Sequence, residues 1–173
     1  ADTLTGDGKD NELTGGLGAD HLVGSGGNDT AAYRNSAVAI SINLATGAAS
    51  GGEATGDTFS SIESVVGTAF ADTIIGDGNA NQFTGGAGGD VISGGTGSDT
   101  SRYDGSSAAV SISLTNGTAS GGDATGDVLT SIENLAGSAF ADTLVGNGGA
   151  NRLEGGAGDD LLSGRGGADA LIG

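Results

Sequence analysis

Large apolar residues recur at nine-residue intervals in three stretches of the chain. They are Leu4, Leu13 and Leu22; Ile74, Phe83 and Ile92; and Leu144, Leu153, Leu162 and Leu171. One buried residue between two outward-facing neighbours forms a three-residue strand. Six turn residues and such a strand make half of a flattened coil, so two nonapeptides predict a coil of about 18 residues. Stacked coils of this kind form two parallel sheets whose apolar rows face each other.

Two further segments alternate between apolar and polar residues with a period of two. The alternating apolar positions are Val38, Ile40, Ile42 and Leu44 in AVAISINL, and Val110, Ile112 and Leu114 in AAVSISL. They predict longer strands within residues 33–66 and 103–136, where Ile62 and Ile132 are further core candidates. We expect the roll to continue through these segments with less regular coils. A hairpin-like excursion from the roll is the alternative.

The whole pattern repeats every 70 residues, because ADTLTGDG, ADTIIGDG and ADTLVGNG begin at Ala1, Ala71 and Ala141. The sequence units are therefore 1–70, 71–140 and 141–173. The nonapeptide blocks within them are 1–32, 67–102 and 137–173. The third unit stops part-way through, so we interpret the chain as a fragment of a larger array. Residues 1–173 are expected to form a single elongated roll.

Glycine and aspartate hold fixed positions in the nonapeptides. The best copies read G-G-x-G-x-D-x-U-x, where U is apolar. The glycines allow left-handed backbone and close approach in a tight turn. The sixth position is Asp or Asn in every copy: Asp2, Asn11, Asp20, Asp29, Asp72, Asn81, Asp90, Asp99, Asp142, Asn151, Asp160 and Asp169.

The composition narrows the possible partners. The formal net charge is −17 with only five Lys and Arg residues, which disfavours nucleic acid and anionic membranes and favours cations. Cysteine is absent, so any metal must be held by oxygen, as hard cations prefer. No apolar run approaches the length of a membrane span. The single histidine, His21, is expected on the surface, and no set of residues suggests catalysis, so we do not expect an enzyme.

The repeated pattern resembles the RTX (repeats-in-toxin, hemolysin-type) nonapeptide, which binds calcium in a parallel β-roll. The resemblance covers over half of the chain. It implies an all-β, right-handed parallel β-roll, a solenoid similar to a β-helix. It also implies that sixth-position carboxylates bind calcium together with backbone carbonyls of the first turn residues. Those carbonyls include the ones of Gly15, Gly85, Gly94 and Gly155.

Calcium binding would also supply free energy that the small apolar core of this fold lacks. Two large apolar residues per coil, at about 1.5–3 kcal/mol each, cannot offset the backbone entropy lost in ordering a coil. Residues one coil apart lie about 4.8 Å from each other, and calcium takes six to eight oxygens in flexible geometry. We therefore expect about six calcium ions, and we expect the sites that contain Asn to be weaker. The predicted pairs are Asp2 with Asp20, Asn11 with Asp29, Asp72 with Asp90, Asn81 with Asp99, Asp142 with Asp160, and Asn151 with Asp169.

The segments between the blocks contain three further kinds of candidate residue. Core packing, rather than ligand stacking, is expected for Tyr33 and Tyr103. Asp57 and Asp127 end the turn-like stretches GGEATGD and GGDATGD, where they are either extra calcium ligands or parts of solvated turns. A hydrogen bond to a turn, rather than calcium binding, is expected for Glu63 and Glu133.

These features predict a calcium-binding module that folds when it binds several calcium ions outside the cell. The resemblance implies a structural and folding role in a larger bacterial protein exported by a type I system, and hence a secreted or cell-surface location. The parent polypeptide is then its covalent partner, and no membrane insertion is expected. The alternative is an adhesin array or a polysaccharide-binding appendage, for example for alginate.

Overall fold

The computed structural model describes all 173 residues and contains twenty short strands, two 3-10 helices and no α-helix. The strands are β1 (Thr3–Thr5), β2 (Glu12–Leu13), β3 (His21–Val23), β4 (Thr30–Ala32), β5 (Ser41–Asn43), β6 (Ala48–Ser50), β7 (Thr58–Ser60), β8 (Ser64–Val66), β9 (Thr73–Ile75), β10 (Gln82–Thr84), β11 (Val91–Ser93), β12 (Thr100–Arg102), β13 (Ser111–Ser113), β14 (Thr118–Ser120), β15 (Val128–Thr130), β16 (Asn134–Ala136), β17 (Thr143–Val145), β18 (Arg152–Glu154), β19 (Leu161–Ser163) and β20 (Ala170–Ile172). The 3-10 helices are Gly52–Ala54 and Gly122–Ala124. None of the helices is long and apolar enough to cross a membrane.

One face of the roll is an uninterrupted parallel sheet of eight strands, which we call the regular sheet. Its strand order is β2-β4-β8-β10-β12-β16-β18-β20. Within the blocks, facing residues are 18 positions apart, as in the pairs Phe83 with Ser101 and Leu153 with Leu171. The predicted all-β parallel roll and its coil length are therefore confirmed.

The opposite face is interrupted by two hairpins. Strand β5 pairs in parallel with β9, and β6 runs back antiparallel to β5. Strand β7 then pairs with β3, so β5 and β6 are inserted between β7 and β9, whose coils are neighbours on the regular sheet through β8 and β10. The second unit repeats this arrangement with β13, β14 and β15. The roll thus continues through residues 33–66 and 103–136 on one face, and the hairpin alternative holds on the other.

The longer strands expected in AVAISINL and AAVSISL are not present. Strands β5 and β13 have only three residues each. Val38 is 53% exposed and does not share the buried side of Ile40 and Ile42. The reason is local, because the Ser36 hydroxyl donates to the Val38 carbonyl at 2.8 Å and holds a turn there.

The apolar rows form one continuous core along the roll, with 21 buried residues in a single cluster. Leu22, Ile74, Phe83 and Leu153 are fully buried, as predicted. Ile62 and Ile132 in the inserted segments are also buried. At the end of the roll the prediction is wrong for Leu171, which is 48% exposed because β20 has a neighbouring strand on one side only.

Candidate calcium sites

Six turns adopt a common backbone conformation, and we call them open turns. Their second and fourth residues have left-handed backbone, with φ between +66° and +141°. Glycine fills most of these positions because L side chains rarely adopt that conformation, and the exceptions are Ser25 and Arg165. The open turns are residues 15–20, 24–29, 85–90, 94–99, 155–160 and 164–169.

Five other turns, which we call closed turns, lack left-handed residues. In each one the backbone N–H of the second residue donates to the side chain of the sixth. Thr68 donates to Asp72 at 2.6 Å, and Asp77 donates to Asn81 at 2.8 Å. One oxygen of the sixth-position side chain is therefore already paired within its own turn. The closed turns are residues 6–11, 67–72, 76–81, 137–142 and 146–151.

Each predicted ligand pair is joined by a hydrogen bond between coils. The backbone N–H of the earlier residue donates to Oδ1 of the later one, and all six donor–acceptor distances fall between 2.6 and 3.0 Å. These bonds link Asp72 to Asp90 and Asn81 to Asp99, for example. The sixth positions thus form two ladders that run along the roll, with one rung per coil.

In five of the six open turns, the second carboxylate oxygen is buried and has no partner. Unpaired buried Oδ2 atoms belong to Asp20, Asp29, Asp90, Asp99 and Asp160. Every one of these residues is the later member of a predicted pair. An unsatisfied buried carboxylate oxygen is costly, more so than a neutral polar group. Burial, aided by nearby carboxylates such as Asp127, raises the pKa of Asp90 to about 7.

The space beside these oxygens fits a cation that prefers oxygen ligands. A Cβ on Gly94 would lie 2.0 Å from the Ser131 carbonyl oxygen and 2.6 Å from Asp99 Oδ2. Both oxygens therefore point into one small cradle that only glycine leaves free. No three Asp, Glu or His side chains group into a metal site by themselves, so carbonyl oxygens must complete the shell.

Three of the four glycine carbonyls predicted to bind calcium lie in such a cradle. The carbonyls of Gly85, Gly94 and Gly155 each face the first glycine of the preceding coil, beside a sixth-position side-chain oxygen. At Gly15 the atoms nearest to an added Cβ belong to Asp20, with Oδ2 at 2.7 Å. The assignment of all sixteen residues as calcium ligands stays a prediction.

The inserted segments extend both ladders with residues outside the nonapeptide pattern. Glu63 and Glu133 accept from the backbone N–H groups of Asp29 and Asp99 at 2.9 Å, so the expected turn hydrogen bonds are present. The aspartates of the turn-like stretches are buried and not solvated. Their Oδ1 atoms accept from Asp20 and Asp90 at 2.8 Å, and the residues are Asp57 and Asp127. Because GGEATGD has one residue more than the nonapeptide turn, the sequence did not show that Asp57 and Asp127 continue the row of sixth-position residues.

The parallel roll and its oxygen-lined glycine turns define the chain as a calcium-binding β-roll. The family model described as the RTX calcium-binding nonapeptide repeat (4 copies) matches residues 1–31, 63–100 and 135–172, which is more than half of the chain. The chain therefore belongs to the RTX calcium-binding repeat family, as the sequence predicted. No curated protein matches it at a significant level. Most of each inserted segment lies outside the matched residues.

Proposed function

We propose that this RTX module folds when it binds several calcium ions, and that it does so outside the cell as part of a larger secreted protein. The observation that supports the proposal is the set of five buried Oδ2 atoms without partners. Without a cation each of them opposes folding, and the stacked acids of a chain with net charge −17 repel one another. A cation that binds only the folded roll reverses both effects.

The proposed setting follows from calcium concentration. RTX repeats are typical of secreted proteins, and export by a type I system would let the chain leave the cell unfolded. Millimolar extracellular calcium matches the affinity range of extracellular calcium modules. Under this proposal the chain is a structural module with no catalytic role.

Far-UV circular dichroism with calcium and with chelator tests the proposal. At neutral pH we expect β-structure in calcium and an unfolded spectrum in chelator, with magnesium a poor substitute because it demands tighter geometry. Isothermal titration should give about six calcium ions per chain, one for each predicted pair. Equal β-structure with and without chelator would refute coupled folding.

A second candidate function is polysaccharide binding, favoured by a groove on the outer face of the regular sheet. Two adjoining cavities of about 300 and 230 Å³ share Gln82 and Arg102. Three of the five cationic side chains line this groove, although the chain is strongly acidic overall. They are Arg34, Arg102 and Arg152. Guanidinium, amide and hydroxyl groups suit a carboxylated, polyhydroxylated chain. Such a chain would compete with the carboxylates of Glu12, Asp104 and Glu154, which line the same groove and each pair with one of these arginines.

Binding to immobilised alginate at fixed calcium concentration tests this second function. Arg102→Gln removes the cation that both cavities share, so it should weaken binding. Arg165→Gln is the matched control, because Arg165 lies in a turn away from the groove. If both variants and the unaltered chain are retained equally, the groove is not the polysaccharide-binding site.

A further inference from the structure

The only two tyrosines lie in the inserted segments and make the same contact. Tyr33 and Tyr103 are 1% and 3% exposed. Their hydroxyls donate to Oδ2 of Asp57 and of Asp127, at 2.8 Å in both cases. These aspartates are themselves buried. Because the same contact recurs in two sequence units, it is a regular part of the inserted segment.

The tyrosine contact occurs where one calcium ladder ends. Asp127 accepts from the backbone N–H of Asp90, so it is the next rung after a calcium candidate. Its own N–H turns back to the Ala124 carbonyl and not to a later carboxylate. The ladder resumes in the following block, where Val110 donates to Asp142 at 2.7 Å. Asp57 and Ile40 repeat this break in the first unit.

Asp90 and Asp127 are neighbours in one ladder, but their second carboxylate oxygens have different surroundings. On Asp90, Oδ1 is paired and Oδ2 has no partner. On Asp127, Oδ1 is paired in the same way, but Oδ2 receives the Tyr103 hydroxyl. Burial raises the pKa of both tyrosines, and so do the neighbouring Asp57 and Asp127 carboxylates, which keeps the hydroxyls protonated as donors.

We infer that Tyr33 and Tyr103 take the place of calcium at these rungs. Asp57 and Asp127 then bind no calcium, and each insert is fastened to the preceding coil by a neutral hydroxyl. The inference rests on the proposed function, since it assumes that the open turns bind calcium. The calcium sites of this ladder then form a separate group in each block, and no metal binds at Asp57 or Asp127 between the groups.

Calcium titration of the full chain tests the inference with a matched pair of variants. Asp90→Asn should lose about one calcium ion per chain, because its unpaired oxygen disappears. Asp127→Asn should bind as many ions as the unaltered chain. If Asp127→Asn also loses an ion, the inference is wrong. If the unaltered chain binds no calcium, the proposed function fails instead.

Tyr103→Phe gives an independent measurement in saturating calcium. Removing the hydroxyl leaves Asp127 Oδ2 buried without a partner, so the unfolding temperature should fall by several degrees. An unchanged unfolding temperature would overturn the inference. The chain has no tryptophan, so tyrosine fluorescence from the remaining Tyr33 shows whether the variant is folded.

Discussion

The nonapeptide blocks and the inserted segments stack on the same regular sheet, but they treat buried acids differently. In the blocks, five buried carboxylates have an oxygen with no partner. In the inserts, the ladder acids Asp57 and Asp127 accept hydrogen bonds on both oxygens, and Glu63 and Glu133 accept one each and keep no buried oxygen unpaired. Away from the ladders, Glu53 keeps one buried oxygen without a partner. The number of acidic residues therefore does not indicate where calcium is needed. At the ladder positions, what indicates it is whether the folded chain leaves a buried carboxylate oxygen without a donor.

The glycine cradle of the blocks gives the largest expected effect. Gly94→Ala would place a Cβ 2.0 Å from the Ser131 carbonyl oxygen, so the backbone of two coils must separate. We expect the free energy of unfolding in calcium to fall by about 3 kcal/mol. The insert provides the control, because a Cβ on Gly105 meets nothing within 4 Å. If chemical denaturation shows equal losses for Gly94→Ala and Gly105→Ala, the cradle has no special role.

Exchanging one ladder acid in each region tests the comparison at a single contact. Asp99→Asn removes the charge of an unpaired carboxylate and should weaken the binding of one calcium ion by at least about tenfold. Glu133→Gln keeps an oxygen acceptor for the Asp99 N–H, so the affinity should change less than twofold. Isothermal titration measures both. A tenfold loss in Glu133→Gln would make that insert residue a calcium ligand.

The sequence was sufficient to predict the blocks. Single buried residues at nine-residue spacing, such as Leu22 and Ile92, allow only one register between coils, and both are fully buried. The inserts could not be predicted in the same way. Alternation along AVAISINL indicates a strand, but it cannot show that β5 pairs with β9 and leaves room for β6 and β7. That choice depends on contacts between residues far apart in the sequence.

The candidate site was predictable to the level of pairs and no further. Asp72 and Asp90 occupy the same position of the nonapeptide and were predicted to be equivalent ligands. They differ because the second turn residue is Thr68 in one turn and the left-handed Gly86 in the other. The Thr68 N–H satisfies Asp72, whereas Asp90 keeps an unpaired oxygen. The tyrosine contacts were also missed, because each joins residues 24 positions apart.

The pH dependence of folding should change sign with calcium. Burial raises the pKa of Asp90 to about 7 and also raises the pKa of Asp72, Asp99 and Asp127. In chelator, the folded state therefore binds protons more strongly than the unfolded state, and its stability is greatest below about pH 4. That stability is lost as the pH rises towards 7, by at most about 1.4 kcal/mol per pH unit for one such group.

In saturating calcium the trend should reverse, because protons compete with calcium for the same carboxylates. Circular dichroism between pH 4 and pH 7.5, with and without chelator, measures both slopes. Asp90→Asn should flatten the slope in chelator. An Asp127→Asn variant that flattens it as strongly would mean that block and insert acids titrate alike, against the comparison made above.

The smallest expected effect concerns the turn conformation that separates paired from unpaired carboxylates. Ser25 and Ser138 both occupy the second turn position, but only Ser25 is left-handed, with φ of +80°. Ser25→Gly relieves strain of about 1–2 kcal/mol and loses about 0.4–1 kcal/mol to the greater freedom of the unfolded chain, so a small stabilisation is expected. Ser138→Gly should destabilise, because the Ser138 hydroxyl donates to Asp142 at 2.7 Å. Opposite shifts of the unfolding temperature in calcium would show that the backbone at the second turn position distinguishes open from closed turns. Shifts of the same sign would show that it does not.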